Sequence, residues 1–250
     1  MTFEFSKVAD FIHAHIGPEF HDKKLAKLKA LTLDDILKRK NPYLFRAKNA
    51  VNANDFIKAV LDATVSSGEE TVFGNFLERV AIFVCAETFG GRKSGIKGID
   101  LEFEQGKTKY IVSIKSGPNW GSSSQIEKLV DHFNKAKKSL ATSGGGKNLH
   151  VVCVEACCYG TEPVPDKGTH RKLCGQEFWS LISNGSETLY QELIVPIGHQ
   201  AKERNDAIEQ LYGAKLALFT KDFVEQFCPG GLIDWPLLLA YNSGKKVAAK

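Results

Sequence analysis

Long apolar runs are missing from this sequence. No stretch approaches the ~20 apolar residues that a bilayer-spanning helix requires. The N-terminus, MTFEFSKVADF, has no cationic segment followed by an apolar signal core. A membrane-bound or secreted protein is therefore not expected, and the chain reads as cytoplasmic. Glycine strings that cradle phosphates are missing too. Neither GxGxxG nor GxxxxGK[ST] occurs, which leaves a metabolic α/β enzyme of the nucleotide-binding kind without support. No CxxC pair occurs among the six cysteines, Cys85, Cys153, Cys157, Cys158, Cys174 and Cys228. In a cytosolic setting these are expected to be reduced thiols. A strong charge of one sign is also lacking, since 33 Lys+Arg against 29 Asp+Glu leave a net charge of +4. A balance this mildly basic permits a nucleic-acid partner without pointing to one. Internal repeats and low-complexity segments are absent.

What is present is an ordinary globular composition, 43% apolar and 25% charged over 250 residues. That length fits one large domain, or one domain with an appendage, and is enough to bury a core without disulfides. Residues 3 to 66 read as helical. Phe5, Val8, Phe11 and Ile12 recur at helical spacing. Thr32 with Asp35 resembles a capping box, and Asn54 is a candidate N-cap for a segment from Phe56 to Val65. Lysines crowd this region at Lys23, Lys24, Lys27, Lys29, Lys38 and Lys40, beside Arg39. They mark either a solvated face or a surface for phosphates or a second subunit.

Residues 69 to 89 carry the clearest helix. Glu69 and Glu70 suit its N-terminus, and Phe73, Phe76, Leu77, Val80, Ala81 and Val84 form its apolar stripe. Glu78 lies among them, as a surface acid or as a carboxylate aimed at the segment that follows. Gly90-Gly91 ends the helix, and Arg92 to Gly95 read as a flexible basic loop. A division at residue 68 is expected: 1–68 as a helical region for DNA contact or dimerisation, 69–250 as a catalytic domain. Past residue 120, Ser124 is expected to cap a helix from Gln125 to Leu140. Asn148 to Val154 reads as a buried strand and residues 155 to 175 as mostly loop. Helices are expected over 176–183, 187–194, 199–210 and 213–227, with an unpatterned tail from Gly244. The order of elements implies an α/β fold, a mixed central sheet flanked by helices.

The rest is organised around residues 97 to 127, KGIDLEFEQGKTKYIVSIKSGPNWGSSSQIE. Two alternating runs, Ile99 to Glu104 and Thr108 to Lys115, flank a turn at Gln105-Gly106-Lys107, the pattern of a β-hairpin. Side chains two apart on a strand share a face. Asp100 therefore pairs with Glu102, and Ser113 with Lys115. Carboxylates beside a lysine at a sheet edge can hold a divalent metal and prepare water for attack on phosphate. On spacing alone, a solvated hairpin with ordinary surface charges is the favoured reading.

An aspartate opening a hairpin and an x-x-Lys on its second strand resemble the PD-(D/E)xK nuclease superfamily. Ile99-Asp100 stands for Pro-Asp, and Ser113-Ile114-Lys115 for the acid-x-Lys triplet. The departure is Ser113, where an acid is expected. The displaced carboxylate is sought at Glu127, in the first turn of the following helix, at Glu102 on the Asp100 face, or at Glu78. The longer strings DLEFE, SIKSGPNWGSSSQI, CCYG, KLCGQEFW, IDW and NSG resemble a type II restriction endonuclease family, the group that cuts around GGNCC cores. The resemblance implies a restriction-endonuclease-like core and a Mg2+-dependent homodimer that cuts both strands of double-stranded DNA at a short palindrome. Asp100 would be the metal ligand with Glu127 or Glu102, and Lys115 would orient the attacking water. The alternatives are a non-catalytic DNA-binding relic, which Ser113 favours, and a non-specific or repair nuclease of the same fold.

Candidate DNA contacts are Asn119, Trp120, Ser122, Ser123, Ser124 and Gln125 in the loop after Lys115, with Arg92 and Lys93 before the hairpin. Trp120 is open to a second reading, as a plug folded back on the sheet. Residues 160 to 172 read as an exposed loop, in which Arg171 and Lys172 could reach guanine edges. Cys157, Cys158, His170 and Cys174 have the types of a zinc site without its spacing, and Cys153 reads as a small hydrophobe in a strand. Trp179 and Trp235 are expected in the core, and His132 and His199 receive no role.

Overall fold

The computed structural model describes residues 3–142 and 149–245. Its chain clusters into two compact units, Met1–Ile16 with Phe73–His199, and Gly17–Val72 with Gln200–Lys250. The expected boundary at residue 68 falls inside a single helix, Ala53–Phe89. Among the described residues no helix is long and apolar enough to cross a membrane.

The second unit is helical. It holds a π-helical turn at Gly17–His21, α2 (Asp22–Ala30), α3 (Leu33–Arg39), α4 (Pro42–Ala47), the first part of α5 (Ala53–Phe89), α10 (Ala201–Phe227) and α11 (Trp235–Ser243). Thr32 caps α3 in the expected reciprocal box with Asp35. The cap of α5 is Asn52, whose Oδ1 accepts from the Asp55 N–H at 2.9 Å, rather than Asn54. Ile36, Leu37, Phe45, Phe56, Ile57, Leu61, Phe219, Phe223, Phe227 and Leu238 bury together, with Trp235 packed against them. This shared core is what draws the C-terminal helices onto the residue 17–72 segment.

The first unit holds α1 (Phe5–Ile16) and a five-stranded mixed sheet in the order β1 (Arg92–Lys93), β2 (Leu101–Gln105), β3 (Thr108–Lys115), β4 (His150–Cys157) and β5 (Arg171–Cys174). β1, β2 and β3 pair antiparallel; β3, β4 and β5 pair parallel. The hairpin forms as the alternation predicts, with Gln105 opposite Thr108 and Gly106 at φ 60 in the turn. A parallel pair needs a crossover, and between β3 and β4 it includes α6 (Ser123–Thr142). α7 (Gln176–Ile182), α8 (Leu189–Glu192) and α9 (Ile194–Ile197) complete the unit.

Register assigns the faces. Glu102, Ile111, Ser113, Cys153 and Glu155 share one face, on which Leu129, Phe133, Ala136 and Leu140 of α6 pack against Ile111 and Cys153. Leu101, Phe103, Val112, Val154 and Leu173 point the other way. There Phe89 at the end of α5 stacks on Phe103 (5.2 Å between ring centroids), which stacks on Tyr110 (4.7 Å). The sheet is thus covered on both faces, as a mixed α/β core requires.

Several expectations are corrected. Arg92-Lys93 is a short edge strand, not a loop. α6 begins at Ser123, with Ser122 O accepting from Gln125 and Ile126, so Ser124 is inside the helix and does not cap it. Residues 155 to 175 are less loop than expected, because β4 continues to Cys157 and β5 begins at Arg171. The helices expected over 199–210 and 213–227 are one, α10. Asn148, at the start of the expected fourth strand, and residues 246–250 of the tail lie outside the described residues.

Candidate active site

The site grows from the start of the hairpin. Asp100 sits one residue before β2, and its backbone N–H donates to Val112 O at 2.9 Å, so the ladder already fixes it. Its side chain turns to the opposite strand. Oδ2 accepts from the backbone N–H of Ile114 at 2.7 Å and from Ser113 Oγ at 3.2 Å. Two donors on one oxygen hold the carboxylate in a single orientation. The other oxygen, Oδ1, is engaged by no described residue. Two positions beyond Ser113, Lys115 ends β3 on the same face. Its ammonium lies 4.8 Å from the centroid of the Trp120 ring.

Trp120 has folded back on the sheet as a plug. It packs against the core that includes Ile111 and Phe133, and its indole N–H donates to Glu155 Oε1 at 2.8 Å. Glu155 was not foreseen. It lies on β4 directly beside Ser113 in register and is 3% exposed. His170 Nε2 meets its Oε2 at 3.1 Å, and Lys172 Nζ meets its Oε1 at 3.1 Å. Burial alone would push this carboxyl up; the bonds from His170, Trp120 and Lys172 outweigh it and hold it at about 2. Lys172 also donates to Pro118 O at 2.8 Å, which ties the loop after Lys115 to β5. The sequence did carry one signal: an acid that continues the apolar run LHVVCV must be paired if that strand is buried.

The other acids stand as follows. Glu102 shares the Asp100 face but is taken by Arg92 Nε at 2.7 Å and approached by Lys109 Nζ at 3.7 Å. Glu78 pairs with Lys93 at 3.3 Å. Glu127 is exposed on α6 and has no ion-pair partner among the described residues. Of the candidate DNA contacts, Asn119, Ser122, Ser123, Ser124, Gln125, Arg92, Lys93 and Arg171 are exposed, whereas Lys172 is turned inward to Glu155 and Pro118. Gln125 Oε1 accepts from the Ser122 N–H at 2.8 Å, which braces the start of α6.

Among the described residues no group of three or more His, Cys, Asp or Glu side chains could hold a metal ion. The zinc arrangement of Cys157, Cys158, His170 and Cys174 is therefore not assembled. His170 is committed to Glu155 and Thr169, and burial pushes the thiols up, Cys158 to about 12. Magnesium sets a different requirement, since it takes one or two carboxylates and keeps several waters. A carboxylate with one oxygen pinned and the other open, beside a serine hydroxyl, fits that requirement. A cleft of about 360 Å³ in the helical unit, lined by Lys24, Lys27, Asp35, Arg39 and Glu69, includes none of Asp100, Ser113 or Lys115.

The sequence profile of the family described as Type II restriction endonuclease EcoO109I matches residues 6–205, which take in the hairpin and the whole sheet. No curated protein matches the chain.

Proposed function

The chain belongs to the type II restriction endonuclease EcoO109I family, and on that premise we propose that it hydrolyses both strands of double-stranded DNA at a short palindrome, as a Mg2+-dependent homodimer. The mixed sheet between helical layers is the α/β core of such a nuclease. The observation that best supports a working site is the pinned Asp100 carboxylate, held by Ile114 N–H and Ser113 Oγ and followed on the same face by Lys115.

Asp100 would hold magnesium through Oδ1. When bound, the ion would offset charge on the pentacovalent phosphate and acidify a coordinated water. Lys115 would hold the attacking water by its N–H groups and place positive charge beside the phosphate. Glu127 is the acid best supported as the displaced second carboxylate, because Glu102 and Glu78 are already paired with cations. The exposed polar residues from Asn119 to Gln125, with Arg92, Lys93 and Arg171, would meet phosphates and base edges. The lysine-rich α2 would add a DNA or subunit contact. Lys172, turned inward, would contribute only if it left Glu155.

The test is direct. Plasmid DNA incubated with the protein and magnesium should give discrete fragments. Asp100→Ala and Lys115→Ala should each cut on the order of 10²–10⁴-fold more slowly while binding DNA normally in calcium. Full cleavage by both variants would sink the assignment of the pair. The second reading, a DNA-binding relic, is favoured by the uncharged Ser113 and requires no fragments at all. A smear would point to a non-specific nuclease.

A further inference from the structure

We propose that Glu155 is a positioning residue of the nuclease site, which holds the Trp120 ring against the Lys115 ammonium through the indole N–H. The proposal rests on Lys115 being the water-orienting lysine. Six contacts carry it. Glu155 Oε1 takes the Trp120 indole N–H at 2.8 Å. The ring so fixed lies 4.8 Å from the Lys115 ammonium. Lys172, at 3.1 Å from the same oxygen, donates to Pro118 O at 2.8 Å and so anchors the loop that carries Trp120 at a second point. His170, 7% exposed, holds the other oxygen of Glu155, and Thr169 meets its remaining nitrogen at 2.9 Å.

A lysine ends in a flexible four-carbon stem. A lysine at the last position of a strand has little to restrain its head group. An aromatic face attracts an ammonium and excludes water from one side of it, but only where the ring itself is held. Trp120 lies in a loop of glycine, proline and serine, SGPNWGS, that has no regular structure to hold it. The buried carboxylate supplies that restraint. A chain of contacts therefore runs from β5, through Glu155 on β4, to Trp120, and ends at the head group of Lys115 on β3. It also explains why an acid is kept at 3% exposure on β4, where a second apolar residue would pack more cheaply.

The test uses the full chain without metal or DNA. In protein labelled with ¹³C at the lysine ε-carbons, Lys115 is the signal lost in Lys115→Arg. It should lie upfield of ordinary lysines because of the ring above it, and move back in Trp120→Leu and Glu155→Ala. Glu155→Gln, which still accepts the indole N–H, should keep most of the shift. If Glu155→Ala does not fold, Glu155→Asp serves: it keeps the charge for His170 and Lys172 but shortens the reach to Trp120, and the shift should again be lost. In single-turnover cleavage, Glu155→Ala or Glu155→Asp should slow the cut on the order of 10- to 100-fold with DNA affinity in calcium unchanged. A shift that persists in a folded Glu155→Ala or Glu155→Asp overturns the proposal. So does loss of calcium binding in Glu155→Gln, which would make Glu155 a ligand. Full-rate cutting by Lys115→Ala would instead remove the role given to Lys115 and leave the spectroscopic result standing.

Discussion

Ser113 stands where the PD-(D/E)xK pattern calls for an acid, and its neighbours account for a neutral side chain there. It is 1% exposed, it donates to Asp100 Oδ2, and Glu155 lies beside it in register. A third carboxylate at this point would face two others inside the protein, and like charges at such range cannot all ionise without a cation between them. Serine avoids the repulsion and contributes a donor. Ser113→Glu should therefore melt well below the parent chain in a chelator and recover when calcium is added. An unchanged melting temperature in chelator would show that the site tolerates the extra charge and that this account is wrong. That Asp100 and Lys115 share a face could be read from the sequence, because alternation sets the face on each strand and the short turn sets the register that joins the two. Glu155, His170 and Lys172 were not, because their meeting depends on the parallel pairing of β4 with β3 and β5, which no local pattern encodes.

The elements teach a related lesson about glycine. The hairpin could be read residue by residue, since alternation, a turn glycine and a change of period all agree. The helices were harder. Ser66-Ser67-Gly68 and Gly213 look like breaks, yet α5 runs unbroken over 37 residues and α10 over 27. In both, apolar residues on either side of the glycine bury against neighbours, and that burial outweighs a propensity cost of about 1 kcal/mol per glycine. A methyl group added at Gly68 or at Gly213 would meet nothing within 4 Å. Gly68→Ala and Gly213→Ala should each stabilise by about 0.4–1 kcal/mol, raising the melting temperature by about 1–4 °C. A drop in thermal scans would mean that the helix needs a flexible point there. Gly98 is the contrasting case. It has φ 83, and a Cβ there would run into the His132 ring, so this glycine is required to bring the chain past α6 to Asp100.

For the whole molecule, the proposed function raises the question of how one site per chain would cut two strands. The net charge of +4 is too small to hold DNA by bulk attraction. Affinity must come from local clusters, and binding in calcium should weaken steeply with salt in proportion to the phosphates contacted. A short palindrome repeats its contacts about a two-fold axis, and the proposed homodimer would mirror that axis and place one Asp100–Lys115 pair on each strand. Sedimentation should accordingly give a particle of twice the 27.6 kDa chain mass. A sharper consequence follows from mixing subunits. If each chain cuts one strand, dimers formed between the parent chain and Asp100→Ala retain one working site. Refolding the two together should yield nicked circular plasmid in excess over linear product, with the nicked fraction rising as the variant share rises. Linear product alone, merely reduced in amount, would mean that a single chain cuts both strands in turn, and the symmetric arrangement would have to be abandoned.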